Sequence, residues 1–174
     1  MDVRTICLGL LTRGEATGYE IKKLFDEDGY QHFIEASFGS IYPALNQLTR
    51  DGLVEVRAEA QEKRPDRKVY SITPAGRSQF LASLLKPLSE DRHRSAFVFA
   101  MLFSHFLPEP RVTELLDNYV RQNEEKLAQL NKAAGQTRGE QFAIGLGQAI
   151  YTAMLDFVRK HRSDLESAQC PAAE

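Results

Sequence analysis

Ser37-Phe38-Gly39-Ser40-Ile41-Tyr42-Pro43-Ala44-Leu45-Asn46-Gln47-Leu48-Thr49-Arg50-Asp51-Gly52 runs straight into Leu53-Val54-Glu55-Val56-Arg57, and the change of pattern at Gly52 decides the fold. At about 100° per residue, Ile41, Ala44, Leu45 and Leu48 share one side of a helix, which predicts a third helix closed by Gly52, with Pro43 in its first turn. Tyr42, Asn46, Thr49 and Arg50 fall on the opposite side. Solvated faces ordinarily favour Glu and Lys, whereas a phenol, an amide and a guanidinium a turn apart are groups that contact phosphates and base edges. After Gly52 apolar and polar residues alternate loosely to Arg57, and Lys68-Val69-Tyr70-Ser71-Ile72 repeats the alternation, so a β-hairpin follows the helix. Its connection, Glu62-Lys63-Arg64-Pro65-Asp66-Arg67, read as a loop, holds with Arg57 and Lys68 the densest basic cluster of the sequence.

Working outward toward the N-terminus, Val3, Ile6, Cys7, Leu10 and Leu11 recur at helical spacing and predict a first helix ending near Gly14. Thr17-Gly18-Tyr19-Glu20 is a capping box that opens a second helix, with Ile21, Leu24 and Phe25 inward, Lys22, Lys23 and Asp26 outward, and Asp28-Gly29 at its end. Beyond the hairpin, Thr73-Pro74 supplies a cap and a first-turn proline for a fourth helix with Phe80, Leu81, Leu84, Leu85 and Leu88 inward. Three helices, a hairpin and a further helix make a winged helix-turn-helix over residues 1–88.

The second half differs in character. After a polar joint at 87–92, Ala96 to Leu107 is apolar nearly all round and predicts a single helix needing burial on several sides. Pro108-Glu109-Pro110 breaks it. A long helix follows with Val112, Leu116, Tyr119, Asn123, Leu127 and Leu130 spaced like a coiled-coil seam, which would call for a partner helix. Past Gly135-Gln136-Thr137-Arg138-Gly139 a last helix carries Phe142, Leu146, Ala149, Ile150, Ala153, Met154 and Phe157 on its apolar side. The expectation is a mainly α chain with one small β-hairpin: a DNA-binding domain over 1–88, a helical dimerisation domain over 93–166, and a loose tail over 167–174. Phe97, Met101, Val112, Leu116, Tyr119, Leu127, Leu130, Ile150 and Phe157 are the expected dimerisation residues.

The 174 residues carry 22 Lys and Arg against 24 Asp and Glu, a formal charge of −2, so a basic footprint must be a local patch. The two cysteines, Cys7 and Cys170, provide no disulfide framework, and the opening Met1-Asp2-Val3-Arg4 lacks a basic lead, so the chain is expected to be cytoplasmic with no membrane partner. His32, His93, His105 and His161 are scattered, and none pairs with Cys, Asp or Glu at metal or nucleophile spacing. Neither an enzyme nor a metal or other cofactor is expected.

Gly18-Tyr19-Glu20-Ile21, Gly39-Ser40-Ile41-Tyr42-Pro43-Ala44-Leu45, Asp51-Gly52-Leu53-Val54 and Tyr70-Ser71-Ile72-Thr73-Pro74-Ala75-Gly76 occur in that order, and with them the first half resembles the PadR family of bacterial transcriptional regulators. The helices that follow are similar in arrangement to long-tailed members with a virulence-activator-like C-terminal domain. The resemblance implies a homodimer on an inverted-repeat operator in double-stranded DNA, usually repressing until a small-molecule effector or another signal intervenes. Phe38 stands where the family often has Tyr or Pro, and the chain lacks tryptophan, so drug stacking seen in short-tailed relatives does not carry over. Lys22, Lys23, Ser37, Ser40, Tyr42, Asn46, Arg50, Arg64, Arg67 and Lys68 are the expected DNA contacts. The alternatives are a winged-helix protein–protein adaptor using the same helix-three stripe, and an activator that needs a partner regulator.

Overall fold

The computed structural model describes residues 2–27, 38–61, 64–88, 90 and 95–167. Expectations for Ser37, for the Asp28-Gly29 stop and for residues 168–174 lie outside these, as do the side chains of Phe25 and Arg64. The chain divides into two compact units, Met1–Glu90 and Asp91–Glu174.

In the first unit, helix α1 (Val3–Leu11) is capped by Asp2, whose side chain accepts from the Thr5 amide at 2.8 Å. That bond, before any other cause, holds the Asp2 carboxyl below the usual carboxylate range. Strand β1 (Ala16–Thr17) leads into α2 (Gly18–Glu27), which opens on the expected capping box: the Thr17 amide donates to Glu20 at 2.8 Å, and the Glu20 amide donates to Thr17 Oγ1 at 3.2 Å. Helix α3 (Phe38–Arg50) buries Ile41, Ala44, Leu45 and Leu48 against α1. Pro43 stands at its sixth residue rather than in its first turn, because the helix starts at Phe38. The backbone bond the proline forgoes is one to Gly39, at the exposed start of the helix, where water can serve the carbonyl.

The helix ends as the sequence predicts. Gly52 takes φ +70°, its amide donates to the Thr49 carbonyl at 3.1 Å, and the Leu53 amide reaches the Leu48 carbonyl at 2.9 Å. This pair of bonds satisfies the last carbonyls and aims the chain into the hairpin.

Strands β2 (Val54–Gln61) and β3 (Arg64–Ile72) are longer than the alternation suggests, and Arg64 to Arg67, expected in a loop, belong to β3. Glu59 lies opposite Arg67, an opposite-charge cross-strand pairing. β1 pairs with the other edge of β3, Ala16 opposite Tyr70 and Thr17 opposite Val69, so the sheet has three strands in the order β1-β3-β2. A two-residue strand carries no periodic signal, which is why the sequence reading contains only a hairpin.

Helix α4 (Pro74–Leu84) starts on Thr73, whose hydroxyl accepts from the Gly76 amide at 3.0 Å and donates to the Gly52 carbonyl at 2.9 Å. The expectation that its leucines point inward is corrected. Phe80 alone packs on the core, with its ring 3.0 Å from where a side chain at Gly9 would begin, whereas Leu81, Leu84, Leu85 and Leu88 are exposed.

The second unit begins with α5 (Ala96–Leu102) and a 3-10 turn over Ser104–Phe106, so the expected single helix over 96–107 is interrupted at Phe103. Helix α6 (Glu109–Lys132) packs on α7 (Arg138–Ser167), which opens on a second capping box, Thr137 with Glu140. The two helices run antiparallel: Thr113 donates to Glu166 at 3.0 Å, Arg162 pairs with Asp117 at 2.8 Å, Arg159 pairs with Glu124, and Gln148 donates to the Leu130 carbonyl at 3.3 Å. Val112, Leu116 and Leu130 are fully buried in this packing, with Leu116 only 1% exposed, and Leu127 is half-buried. Val112, Leu116 and Leu130 therefore do not need a second subunit, because packing within the same chain already covers them. Asn123 is buried and donates to the Tyr119 carbonyl of its own helix at 2.7 Å, and Tyr119 stacks on Phe97 with ring centres 3.8 Å apart.

Gly76→Ala is expected to destabilise the first unit. The added methyl would stand 2.1 Å from the Leu53 carbonyl oxygen and 2.9 Å from Ile72, and the first of these is backbone that cannot step aside. Overpacking of this kind costs about 3 kcal/mol. Urea denaturation of the full chain should show a lowered midpoint, and an unchanged midpoint would mean that the hairpin base yields freely.

Candidate nucleic-acid interface

The outer stripe of α3 is where the sequence places it: Tyr42, Asn46 and Arg50 are exposed and Thr49 is half-buried. Thr49 spends its hydroxyl proton on the Leu45 carbonyl at 2.9 Å and so faces outward as an acceptor. Arg50 donates to Gln47 Oε1 at 2.8 Å, and Gln47 in turn donates to Asp51 at 2.8 Å. Asp51, the only carboxylate beside the stripe in sequence, pairs with Arg4 of α1 at 2.5 Å. The Arg50 guanidinium is thus steered by a neutral amide, which orients it without cancelling its charge. Gln47 is a contributor that the sequence reading missed.

The hairpin closes one side of this stripe. Asn46, Thr49 and Arg50 from α3, Val56 from β2, and Lys68 and Tyr70 from β3 line one groove, so Arg50 and Lys68, eighteen positions apart in sequence, come to a common depression. Tyr70 is buried, and burial, followed by the nearby Tyr42, pushes its phenol above the ordinary tyrosine range. Ser40 is half-buried at the start of α3, while on α2 Lys22 is half-buried and Lys23 exposed.

The basic cluster of the hairpin is smaller in space than in sequence. Arg57 pairs with Glu15 at 2.7 Å and with Glu59 at 3.0 Å. Arg67 donates through Nη2 to Glu20 at 2.6 Å, so the carboxylate that completes the α2 capping box also ties the wing to α2. The Thr17 amide first, then the Thr17 hydroxyl and Arg67, hold the Glu20 carboxyl below its ordinary range. A depressed carboxyl stabilises the fold above the ordinary carboxylate range, and the contribution is lost as pH falls through the lowered value. Arg67, one of the expected DNA contacts, is thus paired with a carboxylate within the chain. Cys7 is buried, and burial pushes its thiol up to about 12, so it is inert as a nucleophile. Among the described residues no group of His, Cys, Asp and Glu is arranged to hold a metal ion, and no helix is long and apolar enough to cross a membrane.

A recognition-type helix flanked by a three-stranded wing, with polar side chains on its open face, defines a winged-helix protein. The sequence profile of the transcriptional regulator PadR-like family matches residues 7–82. The negative transcriptional regulator PadR of Bacillus subtilis is 30% identical over 125 residues, 71% of this chain and 68% of that protein. The crystal structure of a PadR-like transcriptional regulator from Bacillus cereus is 31% identical with a TM-score of 0.82, covering 93% of this chain and 94% of that one. The chain belongs to the PadR-like family of transcriptional regulators. The fold likeness extends through the second half: the Vibrio cholerae virulence activator AphA superposes with a TM-score of 0.67 over 95% of this chain and 99% of its own, at 22% identity. Bacillus subtilis PadR in complex with operator DNA gives a TM-score of 0.77 at 20% identity over 93% of this chain and 98% of that one.

Because Arg67 and Glu20 form one ion pair, Arg67→Ala and Glu20→Gln should be non-additive. The double variant is expected to lose no more DNA affinity than the worse single one. The slope of log affinity against log salt should fall by less than the roughly one unit that a lost phosphate contact removes. Titrations at several salt concentrations read both quantities, and a full unit lost in Arg67→Ala alone would return this arginine to the phosphates.

Proposed function

We propose that this regulator binds an inverted-repeat operator in double-stranded DNA as a homodimer and represses transcription in the cytoplasm until an effector or another signal releases it. The observation that carries the reading is the groove in which Asn46 and Arg50 of α3 meet Lys68 of the wing. Tyr42, Asn46 and Arg50 would enter the major groove and read base edges. Lys68 and Arg64 would follow the phosphates, with Lys22, Lys23, Ser37 and Ser40 flanking them. Bacillus subtilis PadR, solved with operator DNA and with p-coumaric acid, supports both the DNA partner and the existence of a small-molecule effector. In this reading the chain has no catalytic role.

Dimerisation would use the surfaces that the fold leaves uncovered in the second unit. α7 turns Leu155 toward α6 but leaves Phe142, Leu146, Ile150 and Phe157 outward, with Phe157 66% exposed. Phe99, Leu102 and Phe106 are also exposed. Of the dimerisation residues expected from sequence, Ile150 and Phe157 are exposed, and Phe97, Met101, Tyr119 and Leu127 are half-buried. Two copies joined by a two-fold axis would present their α3 helices to successive turns of one DNA face, about 34 Å apart or a multiple of it.

The ion pairs that neutralise Arg57 and Arg67 favour, as a second reading, a protein adaptor that uses the same α3 stripe. Selection of sites from a random DNA pool separates the two, because only the DNA reading recovers a symmetric motif bound with steep salt dependence. Against that motif, Arg50→Ala should cost about 1–3 kcal/mol while leaving the fold intact. Wild-type affinity in this variant would remove Arg50 from the interface. Phe157→Asp should convert the dimer to a monomer in sedimentation at micromolar concentration without loss of helical circular dichroism, and should abolish the two-fold footprint. A dimer that survives this change would place its interface elsewhere.

A further inference from the structure

A side chain built at Gly18 would begin 2.5 Å from Tyr42 Cε1, 2.8 Å from Cζ and 3.1 Å from Oη. All three of its nearest neighbours thus belong to one ring. Gly18 is buried at the first position of α2, immediately after the Thr17 cap. The ring that rests on it belongs to the outer face of α3 and is 44% exposed. We propose that Gly18 is a positioning residue for DNA reading: its bare α-carbon is the seat of the Tyr42 ring and holds that phenol at the angle from which it meets the duplex.

The inference rests on the reading of α3 as the recognition helix. Ordinary contact between carbon atoms needs about 3.5–4.0 Å, so a methyl at position 18 must displace the ring by about 1 Å. The ring can give way, because the atoms met are the far end of a side chain that is 44% exposed rather than backbone. Displacement would therefore leave the fold standing while the phenol moves off its bearing. A tyrosine already seated also gives up less rotamer freedom on binding than one that must be ordered by the DNA. The sign of the stability change makes the case separable from simple damage. Alanine favours helix over glycine, so Gly18→Ala should leave α2 no less stable even as it weakens recognition.

The test uses the full chain, its Gly18→Ala, Tyr42→Ala and double variants, and the DNA site that the unsubstituted chain selects. Gly18→Ala is expected to bind that site about tenfold more weakly, equivalent to about 1.4 kcal/mol, with an undiminished salt slope and a thermal midpoint no lower than wild type. In the Tyr42→Ala background the same change should cost nothing further. Independently of DNA, the Gly18 α-protons should show a ring-current shift in nuclear magnetic resonance that disappears in Tyr42→Ala. Wild-type affinity in Gly18→Ala or in Tyr42→Ala, or an equal tenfold loss from Gly18→Ala when Tyr42 is already alanine, overturns the assignment. Absence of salt-sensitive DNA binding by the unsubstituted chain overturns the underlying reading itself, a failure distinguishable from independent behaviour of the variants.

Discussion

The geometry of the first unit depends on a knot of backbone bonds where α3, the hairpin and α4 meet. The Thr73 amide donates to the Leu53 carbonyl at 3.1 Å, and the Thr73 hydroxyl bridges the Gly52 carbonyl and the Gly76 amide. A hydroxyl donates one proton and accepts on its lone pairs, so this single side chain serves the end of one helix and the start of another. Gly76 permits the approach because any side chain there would run into the Leu53 carbonyl. The angle at which α3 stands to the wing follows from this junction. With the shared core of Leu45, Leu48, Val54 and Tyr70, it brings Arg50 and Lys68 to one groove.

Charge in this molecule is distributed by pairing rather than by number. Asp51 is drawn off by Arg4, Arg57 is taken by Glu15 and Glu59, and Arg67 by Glu20. These pairs are half-exposed and add little stability. Their effect is to decide which cations remain for a polyanion. Arg50 leans on an amide instead of a carboxylate and so keeps its positive charge beside Lys68 in the α3–β3 groove, even though the chain as a whole is slightly acidic. The −2 formal charge therefore does not contradict a DNA-binding surface, because phosphates within a Debye length respond to the local field.

The second unit solves a different problem. α7 is long enough to have two apolar sides, one turned to α6 through Leu155 and the other carrying Phe142, Leu146, Ile150 and Phe157 into solvent. The ion pairs and side-chain bonds along α6 and α7, from Thr113–Glu166 through Arg162–Asp117 to Arg159–Glu124, follow the antiparallel register in which Val112, Leu116, Leu130 and Leu155 are buried. An exposed apolar stripe of this kind is the surface on which the proposed dimer would rest.

Residues alone determined the parts of this protein that depend on local geometry. The stripe of α3, the glycine stop at Gly52, the Thr17–Glu20 box and the Thr73 cap are each written in a few adjacent residues, because helix period, left-handed backbone and capping reach involve at most five positions. The motif order likewise sufficed for the family. Tertiary structure alone decided the rest. It paired Arg67 with Glu20 and Arg4 with Asp51, both across 47 positions. It added β1 to the sheet through only two residues, buried Val112, Leu116 and Leu130 by packing within the same chain, and left the α4 leucines outside. An apolar stripe states that a face needs cover, but the partner that covers it is chosen by packing over distances that no sequence period encodes.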